Sequence, residues 1–199
     1  MSGVPGSEGR AAAPKASLRS LWLLLALAVA PVAASYLLYY FWPPSRTVNY
    51  GELLKPRALP DPKLTLADGT PFQLSGLKGK WVLAIVDAAE CNSSCEKKLL
   101  YIRQLRLTQG KDMDRVERAW LISDGATPRA EAVAAYRGTW LVRAADSGLL
   151  ERFPADVTPA NHIYVIDPLG NLMMRYPRDP DPDRMIKDLT RLLKASRIG

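Results

Sequence analysis

Two cysteines, Cys91 and Cys95, are the residues of this sequence whose type and spacing point most directly to chemistry. Two thiols separated by three residues can close a disulfide or bind one soft metal ion, such as copper(I) or zinc. They can also form a static disulfide, or pack as small apolar groups in a core. The chain has two cysteines and one histidine, His162. These counts exclude a disulfide framework, a four-thiolate zinc site and any centre that needs several imidazoles.

The cysteine pair lies between a predicted strand and a predicted helix. The apolar run Trp81–Val86 is typical of a strand that is buried on both faces, and a helix is predicted from about residue 94 to residue 108. Ser93 and Glu96 fit the reciprocal capping pattern, so Ser93 is the predicted N-cap and Cys95 falls in the first helical turn. The positive end of a helix favours the thiolate form of a cysteine. We therefore expect a redox or metal-binding role for the pair.

The remaining patterns predict strands and helices in alternation. Asp68-Gly69 predicts a hairpin, and Asp181-Pro182-Asp183 predicts the start of the last helix. The other predicted elements are strands at 64–66, 71–74, 119–122, 139–143, 163–166 and 172–175, helices at 128–136 (with Thr127 as its cap) and around 148–152, and the last helix to about 195. This order predicts an α/β, thioredoxin-like domain with a central mixed sheet.

An apolar segment precedes the domain. Residues 21–42 carry no formal charge, and as a helix they would measure about 33 Å, enough to cross a bilayer core. A cleaved signal peptide is the alternative, since Ala28-Val29-Ala30 resembles a cleavage site. The continuation of the apolar run to Trp42 favours a retained transmembrane helix. Basic residues before the segment favour a cytoplasmic N-terminus and an extracytoplasmic domain.

Composition sets the predicted boundaries around this helix. Residues 1–20 are predicted to be a disordered cytoplasmic tail, 43–62 a proline-rich linker and 63–199 the folded domain. The chain is 48% apolar and 24% charged, which excludes a wholly disordered protein. Its net charge of +7 is dispersed, without the basic stripe that favours a nucleic-acid partner.

Several segments resemble the Sco/SenC proteins, which are membrane-anchored, thioredoxin-fold copper chaperones for cytochrome c oxidase assembly. The resemblance covers about residues 60–199 and includes the anchor. It is carried by the cysteine spacing and by residues 66–74, 77–83, 120–124 and 163–170. It implies copper delivery to a cytochrome c oxidase subunit with a copper site, or to another copper or thiol protein. It also implies a bacterial inner-membrane anchor with the domain in the periplasm.

The same resemblance implies a set of site residues. Cys91 and Cys95 correspond to the copper-binding cysteines. His162, about three residues later than the histidine of the family, is the predicted third ligand, and the alternative is a hydrogen-bonded structural histidine that strand alternation turns away from the site. Pro159 lies at the position of the family's histidine, and a proline there is similar to the cis-proline that faces the cysteines of thioredoxins. Glu96 replaces the proline that follows the second cysteine in the family. Two alternatives stay open: a thiol–disulfide oxidoreductase in which Cys91, the more exposed thiol, attacks and Cys95 resolves, and a non-catalytic assembly module with a structural disulfide.

Overall fold

The computed structural model describes residues 18–41, 49–196 and 198, and the chain divides into two units, Met1–Thr47 and Val48–Gly199. Helix α1, Leu18–Phe41, belongs to the first unit, and Pro31 lies inside it without ending it. The helix is long and apolar enough to cross a membrane, a test that a signal sequence also passes. It confirms the predicted apolar helix. Trp42 and the predicted tail up to residue 17 lie outside the described residues.

Eight strands in the described part of the second unit form one mixed sheet in the order β1-β8-β7-β4-β5-β6-β2-β3. Strands β4, β5 and β6 run parallel to one another, and the other pairings are antiparallel. The strands are β1 Glu52–Ala58, β2 Leu64–Leu66, β3 Pro71–Phe72, β4 Trp81–Asp87, β5 Val116–Ile122, β6 Trp140–Arg143, β7 Ile163–Ile166 and β8 Asn171–Arg175. The predicted α/β fold with a central mixed sheet is confirmed.

Three α-helices accompany this sheet in the described residues: α2 Ser93–Leu107, α3 Ala130–Ala135 and α4 Pro182–Ala195. Helix α2 packs against β4, β5 and α4. Asp181 caps α4 as predicted, because its carboxylate accepts from the backbone N–H groups of Asp183 and Arg184. Short 3-10 turns occur at Leu74–Leu77, Gly110–Arg115, Leu150–Arg152 and Pro159–Asn161.

Strand β4 divides the core because it is buried along its whole length and its side chains alternate between the two faces of the sheet. Leu83 and Ile85 pack in the cluster that also contains the apolar faces of α2 and α4. Val82 and Ala84 pack in a second cluster on the opposite face. Both cysteines belong to the α2 cluster. The site therefore rests on a central strand that is buried along its whole length.

The predicted linker is too long, because residues 52–58 form strand β1 and pair with β8. Proline is tolerated there since β1 is an edge strand, where no second neighbour needs the missing N–H. The Asp188 carboxylate of α4 accepts from the backbone N–H groups of Tyr50 (2.7 Å) and Gly51 (2.8 Å). These contacts join the start of the unit to its last helix.

Two predicted helix starts are wrong in detail. The N-cap of α2 is Asn92 instead of Ser93, because the Asn92 side chain reaches two backbone N–H groups of the first turn. Helix α3 is shorter than the predicted 128–136, and Arg129 occupies its N-cap position without a side-chain capping bond. Thr127 therefore does not cap it. The helix predicted around 148–152 is a single 3-10 turn.

Candidate functional site: the Cys91–Cys95 disulfide

Cys91 and Cys95 form a disulfide at the N-terminus of α2, with their Cα atoms 5.1 Å apart. Cys91 is the last residue of a tight turn in which its N–H donates to the carbonyl of Ala88 over 3.1 Å. Its φ angle is +48°, in a region that residues other than glycine seldom adopt and that stores local strain. The turn thus brings the sulfur of Cys91 back to the first turn of the helix.

The cap of α2 fixes the geometry of residues 91–95, which join β4 to α2 and are called the disulfide corner below. The Asn92 side-chain oxygen accepts from the N–H of Ser94 (3.0 Å) and from the N–H of Cys95 (3.1 Å). These two bonds satisfy backbone donors that no earlier helical residue could satisfy. They also hold Cys95 at the positive end of the helix dipole, which stabilises a thiolate when the disulfide is reduced.

Both cysteines are buried, with relative exposures of 1% for Cys91 and 0% for Cys95. The expectation that Cys91 is markedly more exposed is therefore wrong for the disulfide form. Arg129 lies over the corner: its Nη2 atom is 3.4 Å from the carbonyl oxygen of Cys91 and 3.5 Å from the carboxylate of Glu96. The hydroxyl of Tyr136 donates to the Glu96 carbonyl over 3.2 Å. Residues before and after α3 thus cover the first turn of α2.

A buried ion pair supports the corner from below. The Lys98 ammonium lies 2.6 Å from the carboxylate of Asp87, the last residue of β4. The same ammonium donates to the carbonyl of Ala160, in the turn Pro159–Asn161. The other oxygen of Asp87 accepts from the N–H of Ala88 over 3.0 Å. Lys98 therefore joins the end of β4, the first part of α2 and the turn before β7.

Sequence reasoning missed Asp87, Lys98 and Arg129. Asp87 carries a weak signal, since an acid at the end of a continuous apolar strand needs a partner when the strand is buried. Lys98 lies on the buried side of α2, three residues after Cys95 and beside Leu99, which also marks it as unusual. Arg129 has no such signal, because its contacts to Cys91 and Glu96 depend on how α3 lies against α2.

The structure does not bring His162 together with the two sulfurs. Its Nδ1 atom is 2.8 Å from the carbonyl oxygen of Tyr176, and its ring centroid is 5.9 Å from that of Tyr164. Side chains alternate along β7: Ile163 and Val165 join the cysteine cluster, whereas Tyr164 lies in the opposite one. Among the described residues, no three His, Cys, Asp or Glu side chains gather where they could hold a metal ion.

Pro159 lies in a 3-10 turn capped by Thr158. This turn packs against β4, and its Ala160 carbonyl is the acceptor of Lys98. The turn that contains Pro159 is therefore joined to the support of the disulfide through Ala160.

Comparison with known families decides where the chain belongs. Residues 81–196 match the family described as transmembrane-like, thioredoxin-like, C-terminal domain. The chain belongs to that family. The match begins at β4 and ends just after α4, so this thioredoxin-like domain includes the disulfide and the residues that support it. Comparison with curated protein sequences gave no match.

Solved structures show how widely this fold is shared. Yeast Sco1 with copper bound has a TM-score of 0.62 and 16% identity, covering 72% of this chain and 96% of that one. Bradyrhizobium japonicum ScoI with copper bound has a TM-score of 0.55 and 18% identity, covering 68% and 99%. The thioredoxin domain of a thiol-disulfide oxidoreductase from Bacteroides vulgatus has a TM-score of 0.52 and 21% identity, covering 71% and 99%. The resemblance to the Sco/SenC proteins is thus confirmed at the level of the fold.

Proposed function

We propose that the chain is a membrane-tethered thiol–disulfide exchange protein that uses Cys91 and Cys95 as a reversible two-electron pair on partner cysteines in the periplasm. The observation that carries this proposal is the bond between the two sulfurs at the start of α2. A helix N-terminus stabilises the thiolates that exchange requires. Helix α1 would restrict the search for partners to the membrane surface.

In the reduced form, Cys91 is the attacking thiolate because it lies in the turn before the helix, next to the exposed Asn92. It attacks one sulfur of a partner disulfide, a mixed disulfide forms, and the other partner sulfur leaves as a thiolate. The thiolate of Cys95 then attacks the Cys91 sulfur and releases the second partner thiolate. The partner gains two electrons and takes up two protons from water. A periplasmic dithiol protein must then reduce the pair again.

Exchange requires that the cover over the corner opens, since both sulfurs are buried. The contacts of Arg129 are the ones that must break, and each is long and partly exposed. Exposed ion pairs contribute little free energy, about 0.2–1 kcal/mol. The ion pair of Asp87 and Lys98 is buried and stays in place during such an opening.

A peptide disulfide with the spacing Cys-x-x-x-Cys tests the exchange reaction. The reduced full-length chain in detergent should reduce this peptide, as followed by mass spectrometry. The Cys95→Ser variant should stop at a stable mixed disulfide through Cys91, and Cys91→Ser should form none. Ser93→Ala is the matched control and should react as the unmodified chain does. Equal peptide reduction by the unmodified chain and by the double Cys91→Ser/Cys95→Ser variant would contradict the proposal.

Copper delivery to cytochrome c oxidase is the second candidate, favoured by the copper bound in the similar yeast and Bradyrhizobium structures. Once reduced, Cys91 and Cys95 would offer two converging thiolates, a donor pair that suits copper(I) as cargo. Cargo would pass to an acceptor by exchange of thiolate ligands. His162 would take part only if its bond to the Tyr176 carbonyl broke.

Copper(I) titration against a chromogenic chelator separates the two candidates. Copper delivery predicts one copper(I) for each reduced chain, lost in Cys91→Ser and kept in His162→Gln. If His162→Gln also loses copper(I) binding, His162 is the third copper ligand, as the sequence predicted. If reduced chains bind no copper(I), exchange alone remains. If the double Cys91→Ser/Cys95→Ser variant supports oxidase assembly fully in cells, copper delivery through this pair fails.

A further inference from the structure

A cavity of about 570 Å³ lies near the C-terminal end of α2, where it is lined by Arg106 of that helix and by residues of β5 and β6. This volume is in the usual range for sites that bind small organic molecules, about 300–1,000 Å³. One part of its wall is apolar and includes Val133, Trp140 and Leu141. Another part is basic and includes Arg106, Arg118 and Arg137. None of these residues belongs to the disulfide corner.

Arg118 is the unusual residue of this wall. It is 5% exposed, and its Nη2 atom donates to the carbonyl of Arg137 over 2.9 Å. Its Nε and Nη1 atoms are buried and have no acceptor among the residues that the structure describes. Burial, and then the positive charges of Arg106 and Arg103, lower the pKa of Arg118. A buried cation with unused donors is costly unless an acceptor or an anion reaches it.

Thr139 adds a third unused donor to the same wall. It is 8% exposed, and its hydroxyl has no partner among the described residues. Gly138, between Thr139 and Arg137, has a φ of +77°. A Cβ atom at this glycine would lie 3.0 Å from the Nη2 atom of Arg118. A residue without a side chain thus leaves room for the guanidinium group beside the cavity.

The acids of the wall already have hydrogen-bond partners. Glu117 accepts from the indole N–H of Trp140 over 3.1 Å, and Asp68 accepts from the N–H of Thr70 over 2.9 Å. The wall has three arginines against these two acids. The excess charge is therefore positive, and no carboxylate of the described residues forms an ion pair with the buried Arg118 guanidinium.

We propose that this cavity binds a small organic anion with an apolar body. Oxygen atoms of its carboxylate or phosphate group accept from Arg118 and from the hydroxyl of Thr139, and its apolar part packs against Val133 and Leu141. Guanidinium groups bind both kinds of oxyanion well. The site does not depend on the chemistry of the cysteines.

Benzoate and phenyl phosphate serve as the two probes, with benzyl alcohol as the neutral probe and sodium chloride to match ionic strength. Binding to the full-length chain in detergent is followed by titration calorimetry and by Tm. We expect saturable binding of at least one of the two anions, a rise in Tm and no saturable binding of benzyl alcohol. The anion that binds more tightly identifies the group that the site prefers. No saturable binding of either anion would overturn the proposal.

Variants locate the binding. Arg118→Met should weaken it at least about tenfold, because a charge-assisted hydrogen bond is lost. Arg178→Gln, a change at an exposed arginine outside the cavity, should leave it unchanged. If Arg118→Met does not fold, Thr139→Val provides the second test and should weaken binding severalfold. Affinity unchanged in Thr139→Val and in any folded Arg118→Met would overturn the proposal.

Discussion

Buried polar groups have hydrogen-bond partners at the N-terminal end of α2, whereas some near its C-terminal end have none among the described residues. At the N-terminal end, Asn92 caps the backbone and the Lys98 ammonium reaches both Asp87 and a carbonyl. At the C-terminal end, the Arg118 guanidinium and the Thr139 hydroxyl keep donors that no described residue satisfies. Satisfied groups hold a rigid frame, and unsatisfied groups favour a ligand. The first end is therefore suited to hold a reactive pair, and the second to receive a molecule.

The largest effect should come from Lys98→Met at the N-terminal end, and Arg118→Met at the C-terminal end is its comparison. Lys98→Met leaves the Asp87 carboxylate buried without its partner, and we expect a loss of about 3 kcal/mol or more in the free energy of unfolding. Arg118→Met removes a cation that has no carboxylate partner in the described part of the chain, and we expect the free energy of unfolding to change by less than about 1 kcal/mol. Urea denaturation of the full-length chain in detergent measures both.

The double variant Asp87→Asn/Lys98→Met is the control for the first loss. It should recover part of the stability, since no charge is left buried alone. If Lys98→Met and Arg118→Met destabilise the chain equally, the contrast between the two ends is wrong.

Reduction of the disulfide should have the next largest effect on stability. The bond joins residues four positions apart, and closing so short a loop restricts the unfolded chain by about 2 kcal/mol. Comparing oxidised and reduced chains in urea measures this difference. The variant Cys91→Ala/Cys95→Ala should be insensitive to reductant. Equal stability of both forms of the unmodified chain would mean that strain around Cys91 cancels the restriction.

The identity of the α2 cap gives a smaller effect. Asn92→Ala should cost about 1 kcal/mol, because two backbone N–H groups lose their acceptor. Ser93→Ala should change stability by no more than a few tenths of a kcal/mol. The reverse order in thermal or urea unfolding would restore Ser93 as the cap.

Changing Arg129, which covers the disulfide, should have the smallest effect, and this effect is on the rate at which the disulfide is reduced. Arg129→Gln removes the ion pair to Glu96 and weakens the contact with the Cys91 carbonyl. Reduction of the disulfide by dithiothreitol should become about two- to fivefold faster, as expected from an exposed pair worth less than 1 kcal/mol. Arg178→Gln should react at the unmodified rate. A slower reaction in Arg129→Gln would show that the guanidinium assists the exchange.

Sequence reasoning predicted the elements whose signals are local. Strand β4, helix α2 and the cysteines between them follow from an apolar run, a helical pattern and cap residues in one stretch of chain. Strand β1 was not predicted because it is stabilised by pairing with β8, where Glu52 lies opposite Arg175, and the local sequence of β1 does not show this pairing. The cap of α2 was misplaced by one residue because Asn92 and Ser93 are both cap formers.

The site was predictable in part for the same reason. The pairing of Cys91 with Cys95 depends on near neighbours, whereas the supports of the corner come from three separate segments. The direction of the His162 ring depends on the register of β7 against β4, with Ile85 opposite Ile163. A shift of one residue would turn that ring to the other face. The cavity around Arg118 likewise exists only in the folded chain.

The most direct test of the exchange account is a redox titration of the full-length chain in glutathione and dithiothreitol buffers. The fraction of the Cys91–Cys95 disulfide is measured by thiol alkylation and mass spectrometry, and folding is followed by circular dichroism. Reversible exchange predicts one two-electron transition, identical in both directions, while the domain stays folded. A disulfide that stays intact at millimolar dithiothreitol until the domain is unfolded would contradict the account and leave the bond with a structural role.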